Sequence, residues 1–136
     1  KNYQPEFVVD LATLTGSAVR TFGYQCGVLF SNHEELAGSL LEAGSHTGER
    51  LWQLPLWKEY GQEMKSEIAD IKNLSTKPMA GAITAAKFLE FFTDEHPRWA
   101  HMDIAGVAFG DSGLSKDKSA TAFGIRLLTT WMERFF

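Results

Sequence analysis

One cysteine, no polybasic stretch and no apolar run approaching the length of a bilayer span set the first limits on this chain of 136 residues. Cys26 alone cannot build an internal disulfide framework, and its isolation points to a reducing compartment. Beside Gly27-Val28-Leu29-Phe30 it reads as a small buried apolar group rather than a reactive thiol. Thirteen Lys and Arg against seventeen Asp and Glu leave a net charge of -4, scattered in mixed sign. Such a surface carries neither the footprint of a nucleic-acid partner nor a polybasic membrane anchor. There is no signal-peptide pattern, so the expected location is cytoplasmic. A Gly-rich phosphate motif, a Walker lysine and a cysteine pair are all missing. Ser17 follows Gly16 without the Gly-x-Ser-x-Gly spacing of a nucleophile elbow. The chain also opens on Lys1-Asn2-Tyr3-Gln4 without an initiator methionine and runs straight into a core strand, so it is expected to be cut from something longer.

What is there begins with Phe7-Val8-Val9-Asp10-Leu11, a nearly continuous apolar run that suits a strand covered on both faces, with Pro5 ahead of it where no ladder donor is needed. It gives way to Thr13-Leu14-Thr15-Gly16-Ser17, which reads as a tight loop and helix start. In open α/β sheets, ligands bind at the carboxyl ends of strands, so this loop is either a ligand-binding turn or an ordinary capped one. A short helix over 17–22 should end at Gly23, and a second strand should cover 27–31. Asn32 and Glu35 have the spacing of a capping box for a helix whose buried face is Leu36, Leu40 and Ala43 and which should end at Gly44 or Gly48. An extended piece over 51–56 precedes a helix with Trp57, Tyr60 and Met64 as its buried stripe. Residues 66–81 lack periodicity and form the best candidate for a long loop, where function concentrates. A helix over 82–92 should bury Ala85, Phe88, Leu89 and Phe92, and Pro97 follows its break. A strand from Trp99 runs towards Gly106, a hydrophilic loop covers 110–118, and a closing helix lines up Gly124, Leu127, Leu128 and Trp131. Strands alternate with helices without repeat or linker, so residues 1–136 form one α/β unit with a mixed, largely parallel sheet flanked by helices.

The sharpest local pattern is His101-x-Asp103, two potential metal ligands on one face of a strand. No further cluster of His or carboxylates accompanies it, and the reading favoured is a buried pair that satisfies backbone groups of neighbouring loops. His33, His46 and His96 sit at expected helix ends or turns.

Taken together, five segments resemble the C-terminal catalytic domain of the leucyl aminopeptidases, the two-metal cytosol aminopeptidase family. They are Val9-Asp10-Leu11-Ala12-Thr13-Leu14-Thr15-Gly16, Gly48-Glu49-Arg50-Leu51-Trp52-Gln53-Leu54-Pro55-Leu56, Ala69-Asp70-Ile71-Lys72-Asn73-Leu74, Ala80-Gly81-Ala82-Ile83-Thr84-Ala85-Ala86-Lys87-Phe88-Leu89 and Trp99-Ala100-His101-Met102-Asp103-Ile104-Ala105-Gly106. A weaker match, Ser119 to Arg126, has Ser119 and Ala122 where the family more often has glycine.

The resemblance implies that the backbone at Thr13, Leu14 and Gly16 binds peptide substrate. It implies a pocket for the N-terminal side chain at Thr13, Gly16, Ala105 and Ala108, and a second at Leu74. The family's metal-binding and catalytic residues, a lysine and aspartates followed by an Asn-Thr-Asp-Ala-Glu-Gly-Arg segment, lie upstream of the Thr-Leu-Thr-Gly loop, and none is in these 136 residues. The implied assignment is therefore no catalytic and no metal-binding residue in this chain, with two divalent ions, Mn or Zn, in the full-length enzyme and none held tightly here. The chain alone should be inactive. The implied partners are the upstream part of the same polypeptide and further copies in a hexamer. An assembly module without catalysis, or an unrelated α/β domain using the Gly16 loop for a small anion, are the rival readings.

Overall fold

In the computed structural model, residues 3–110 and 117–136 are described. Strand β1 (Val8–Ala12) leads through the Thr13–Thr15 turn into α1 (Gly16–Phe22), and β2 (Gly27–Ser31) into α2 (Glu34–Thr47). Next come β3 (Leu51–Gln53), a 3-10 helix (Lys58–Met64), a long segment without helix or strand, and α3 (Gly81–Phe91). Then follow β4 (Trp99–Asp103), the short strands β5 (Phe109–Gly110) and β6 (Ser119–Ala120), and α4 (Ile125–Phe135). The main sheet has the order β1-β4-β2-β3, with β1 parallel to β4, β2 parallel to β3 and β2 antiparallel to β4. It is the expected mixed, largely parallel sheet with helices on both faces.

Period-two side-chain alternation divides the core. Leu29, Ala100 and Met102 face α2 and α4 and pack with Leu36, Leu40, Leu127 and Trp131. Val28 and Phe30 face α1 and α3 and pack with Ala18, Ile83 and Ala86. The two central strands, β2 and β4, are buried along their whole length, whereas the edge strand β1 is half-buried throughout. The second face of β4 is the unusual one: it puts Trp99, His101 and Asp103 inside, all nearly without solvent contact.

Several local expectations need correction. His33, not Asn32, caps α2: its Nδ1 accepts from Leu36 N at 3.2 Å. Asn32 is occupied across the sheet, its Oδ1 accepting from Trp99 N at 2.8 Å and its amide donating to the His96 carbonyl at 2.7 Å. Gly44 lies inside α2, which ends at Gly48 in the left-handed region. A Cβ at Gly44 would stand 2.7 Å from the Glu49 carbonyl oxygen, so that glycine permits close packing rather than termination. The 57–64 region is a 3-10 helix that buries Met64 and leaves Trp57 exposed, stacked on Tyr60. Helix α3 buries Ala82, Ile83, Thr84 and Ala86; Phe92, expected inside, is exposed. The small residues win because α3 packs close against α1: a Cβ at Gly81 would stand 3.0 Å from Ser17 Oγ. Strand β4 stops at Asp103, and the expected loop over 110–118 is flanked by the β5–β6 pair; its residues 111–116 lie outside the described ones.

Candidate substrate-binding site

Because β1 and β4 are parallel, their carboxyl ends lie side by side, and the turns after Ala12 and Asp103 are neighbours. Ile104 N donates to the Ala12 carbonyl at 2.9 Å, which ties them together. Asp103 does the rest. Its Oδ1 accepts from Leu14 N at 3.1 Å, Thr15 N at 3.4 Å and Ala105 N at 3.2 Å, and its Oδ2 from Thr15 Oγ1 at 2.7 Å. Thr15 Oγ1 in turn accepts from Ala18 N at 3.0 Å as the N-cap of α1. One carboxylate, 1% exposed, therefore holds both turns and the start of a helix.

Of the residues expected to contact substrate, Thr13, Leu14 and Gly16 are exposed on the first turn, and Ala105 is half-buried on the second. Ala108 sits one turn further on, its N–H donating to the Ile104 carbonyl at 2.9 Å and its carbonyl accepting from Thr121 N at 3.0 Å. Buried Gly106 presses on the end of α1, where a Cβ would stand 2.4 Å from the Gly23 carbonyl oxygen. Leu74 is not brought into this group by any described contact. It is 79% exposed on the long segment before α3. Asp103 takes the N–H groups of Leu14 and Thr15, so those two are not free to cradle a phosphate or carboxylate.

His101 and Asp103 do not fit a metal site. Asp103 is engaged by four donors of the two turns, and His101 Nδ1 is bonded to Asp10 Oδ1 at 2.6 Å. Asp10 Oδ2 also accepts from Trp99 Nε1 at 2.8 Å. The His101 ring lies stacked near Phe30 and Trp99, its buried Nε2 lacking a hydrogen-bond partner among the described residues. Nor do the described residues include any group of three or more His, Cys, Asp or Glu able to hold a metal ion.

The sequence marks Asp103 as a buried partner of loop backbone; the structure makes it the joint between the two turns. Glu49 is a functional part of the frame that the sequence does not single out. It is 4% exposed, and its Oε2 accepts from Gly124 N at 3.2 Å and Leu127 N at 2.8 Å, closing the amino end of α4. Asp103 stands out in the sequence through His101-x-Asp103, whereas Glu49, between Gly48 and Arg50, carries no local signal of burial.

The chain is similar to known proteins along nearly all its length. The family model described as the catalytic domain of the cytosol aminopeptidase family matches residues 1–129. A probable cytosol aminopeptidase of Chlorobaculum tepidum is 53% identical over 128 residues, which is 94% of this chain and 25% of that protein. One of Chlorobium limicola is 47% identical over 135 residues, 99% of this chain and 26% of that protein. Among solved structures, a mutant of tomato leucine aminopeptidase superposes with a TM-score of 0.89 at 38% identity, over 98% of this chain and 25% of that one. The chain thus spans about a quarter of the length of the relatives it matches. On the family match and this similarity, the chain belongs to the cytosol aminopeptidase family, within its catalytic domain.

Proposed function

We propose that these residues form the substrate-side wall of a metal-dependent leucyl aminopeptidase, which removes the N-terminal residue from peptides in the cytoplasm. The observation that carries this reading is the joining of the Thr13–Gly16 and Ala105 turns by Asp103 at the carboxyl ends of two parallel strands. Thr13, Leu14 and Gly16 offer peptide backbone to the ligand. The small side chains of Ala105 and Ala108 leave room for a leucine-like group, whose burial stabilises binding by roughly 1.5 to 3 kcal/mol. Leu74, exposed on the segment before α3, is assigned to the next pocket. The two divalent ions of this reading, Mn or Zn, belong to polypeptide upstream of these residues, and so do the groups that act on the peptide bond. The test is hydrolysis of a leucine chromogenic amide with manganese or zinc. The full-length protein should turn it over and residues 1–136 alone should not; robust turnover by the isolated chain would refute the division of labour.

A second reading, an assembly module, is favoured by the exposure of Trp52, Trp57, Ile68 and Leu74, which are 63 to 98% accessible. Under it these side chains meet the upstream polypeptide or other copies in a hexamer. Sedimentation of the isolated chain decides: self-association supports it, and a strict monomer at high concentration removes it.

A further inference from the structure

We infer that Asp103 is a positioning residue for peptide binding, one that fixes the direction of the two loop carbonyls offered to substrate. The inference rests on the proposed aminopeptidase function and adds to it a chemical reason for the loop's ligand preference. A carboxylate is an acceptor only, and Asp103 accepts from four donors, three backbone N–H groups on Oδ1 and the Thr15 hydroxyl on Oδ2. It therefore selects the loop conformation whose N–H groups point inward. All described peptide bonds are trans, so within each peptide plane the carbonyl points opposite to the N–H. With Leu14 N–H aimed at Asp103, the Thr13 carbonyl faces away from it; with Thr15 N–H aimed at Asp103, the Leu14 carbonyl does the same. The outer face of the turn is thereby lined by acceptors. Its matching ligand carries donors in series, as the α-ammonium and first peptide N–H of an unblocked peptide do. Reversing either plane would bring a carbonyl dipole onto a buried negative charge.

The experiment compares a leucyl dipeptide with its ester counterpart, in which oxygen replaces the scissile N–H, using the full-length protein and its Asp103→Asn variant. Asn keeps the shape but has one acceptor oxygen, so its NH2 displaces the Thr15 hydroxyl hydrogen from Oδ2 or stands against the loop N–H groups. The expected result is a loss of kcat/KM on the peptide about tenfold larger than on the ester, the worth of roughly one hydrogen bond. A role confined to stability lowers both substrates alike, and equal losses, or none, overturn the assignment. Should the Asn variant fail to fold, Thr15→Val takes its place, removing the hydroxyl that donates to Asp103 Oδ2. It should show the same peptide-selective loss, with Thr15→Ser restoring the wild-type ratio, and equal losses there also overturn the assignment. Wild-type protein inert towards both substrates would overturn the aminopeptidase reading itself, a result distinct from the loss of selectivity.

Discussion

Thr15 Oγ1 donates to Asp103 Oδ2 at 2.7 Å across 88 residues of chain, while accepting from Ala18 N at 3.0 Å. The hydroxyl is thus oriented from both sides, as donor to the carboxylate and acceptor for the helix. Thr15→Val keeps the shape and loses both bonds, so it should cost about 1–2 kcal/mol in a urea titration. Thr15→Ser should stay close to wild type. A Val variant as stable as wild type would mean that the Thr15 hydroxyl adds nothing to the hold of Asp103 Oδ1 on the two turns.

Glu49 is the comparable hinge on the other side of the sheet. Its carboxylate closes the first turn of α4, with Arg126 Nε 3.5 Å from Oε1. Glu49→Ala leaves two buried N–H groups unsatisfied at a helix start and should destabilise by about 3 kcal/mol. Glu49→Gln retains one acceptor and should lose less. Circular dichroism during denaturation checks both, and equal losses for Ala and Gln would argue that side-chain volume, not hydrogen bonding, matters at this position.

How far the chain could be understood from its residues depends on whether the signal was local. The 27–31 strand, the Leu36, Leu40 and Ala43 face and the Leu127 and Trp131 face all follow from periodicity, because those side chains pack within one layer. Large aromatic rings on a 3.6-residue stripe imply burial, yet Trp57 precedes a 3-10 helix that keeps Met64 inside and Tyr60 against the core and leaves Trp57 outside. Phe92 misled because the α1–α3 approach selects small residues, a tertiary demand that α3 alone cannot reveal. Asn32 looked like a cap because its partner Trp99 is 67 residues away. At the site, glycines and motifs identified both turns, but the Asp103 bonds joining them span nearly ninety residues and have no sequence signature.

Gly106 tests how tightly the second turn must sit on α1. A methyl group there would come within 2.4 Å of the Gly23 carbonyl oxygen, a backbone atom that no rotamer change can move. Gly106→Ala should therefore force the turn away and cost about 1–3 kcal/mol. If Ala105 lines the substrate pocket, KM for leucine amides should also rise in the full-length protein. Unchanged stability and unchanged KM together would show that the approach is looser than this geometry requires.

Cys26 supplies the pH-dependent prediction. Partial burial raises its thiol above the ordinary value, and the Arg50 guanidinium pulls more weakly in the opposite direction. A raised pKa means the folded protein holds this proton more tightly than the unfolded chain, whose thiol titrates near about 8.5. The stabilisation is complete below that pH and is lost as pH climbs through the folded value. Since the thiolate is the reactive species, native Cys26 should react with iodoacetamide at pH 8 more slowly than the same residue in denaturant. Cys26→Ser should flatten the alkaline decline in stability. Native alkylation as fast as that of the unfolded chain would mean that Arg50, rather than burial, controls the thiol.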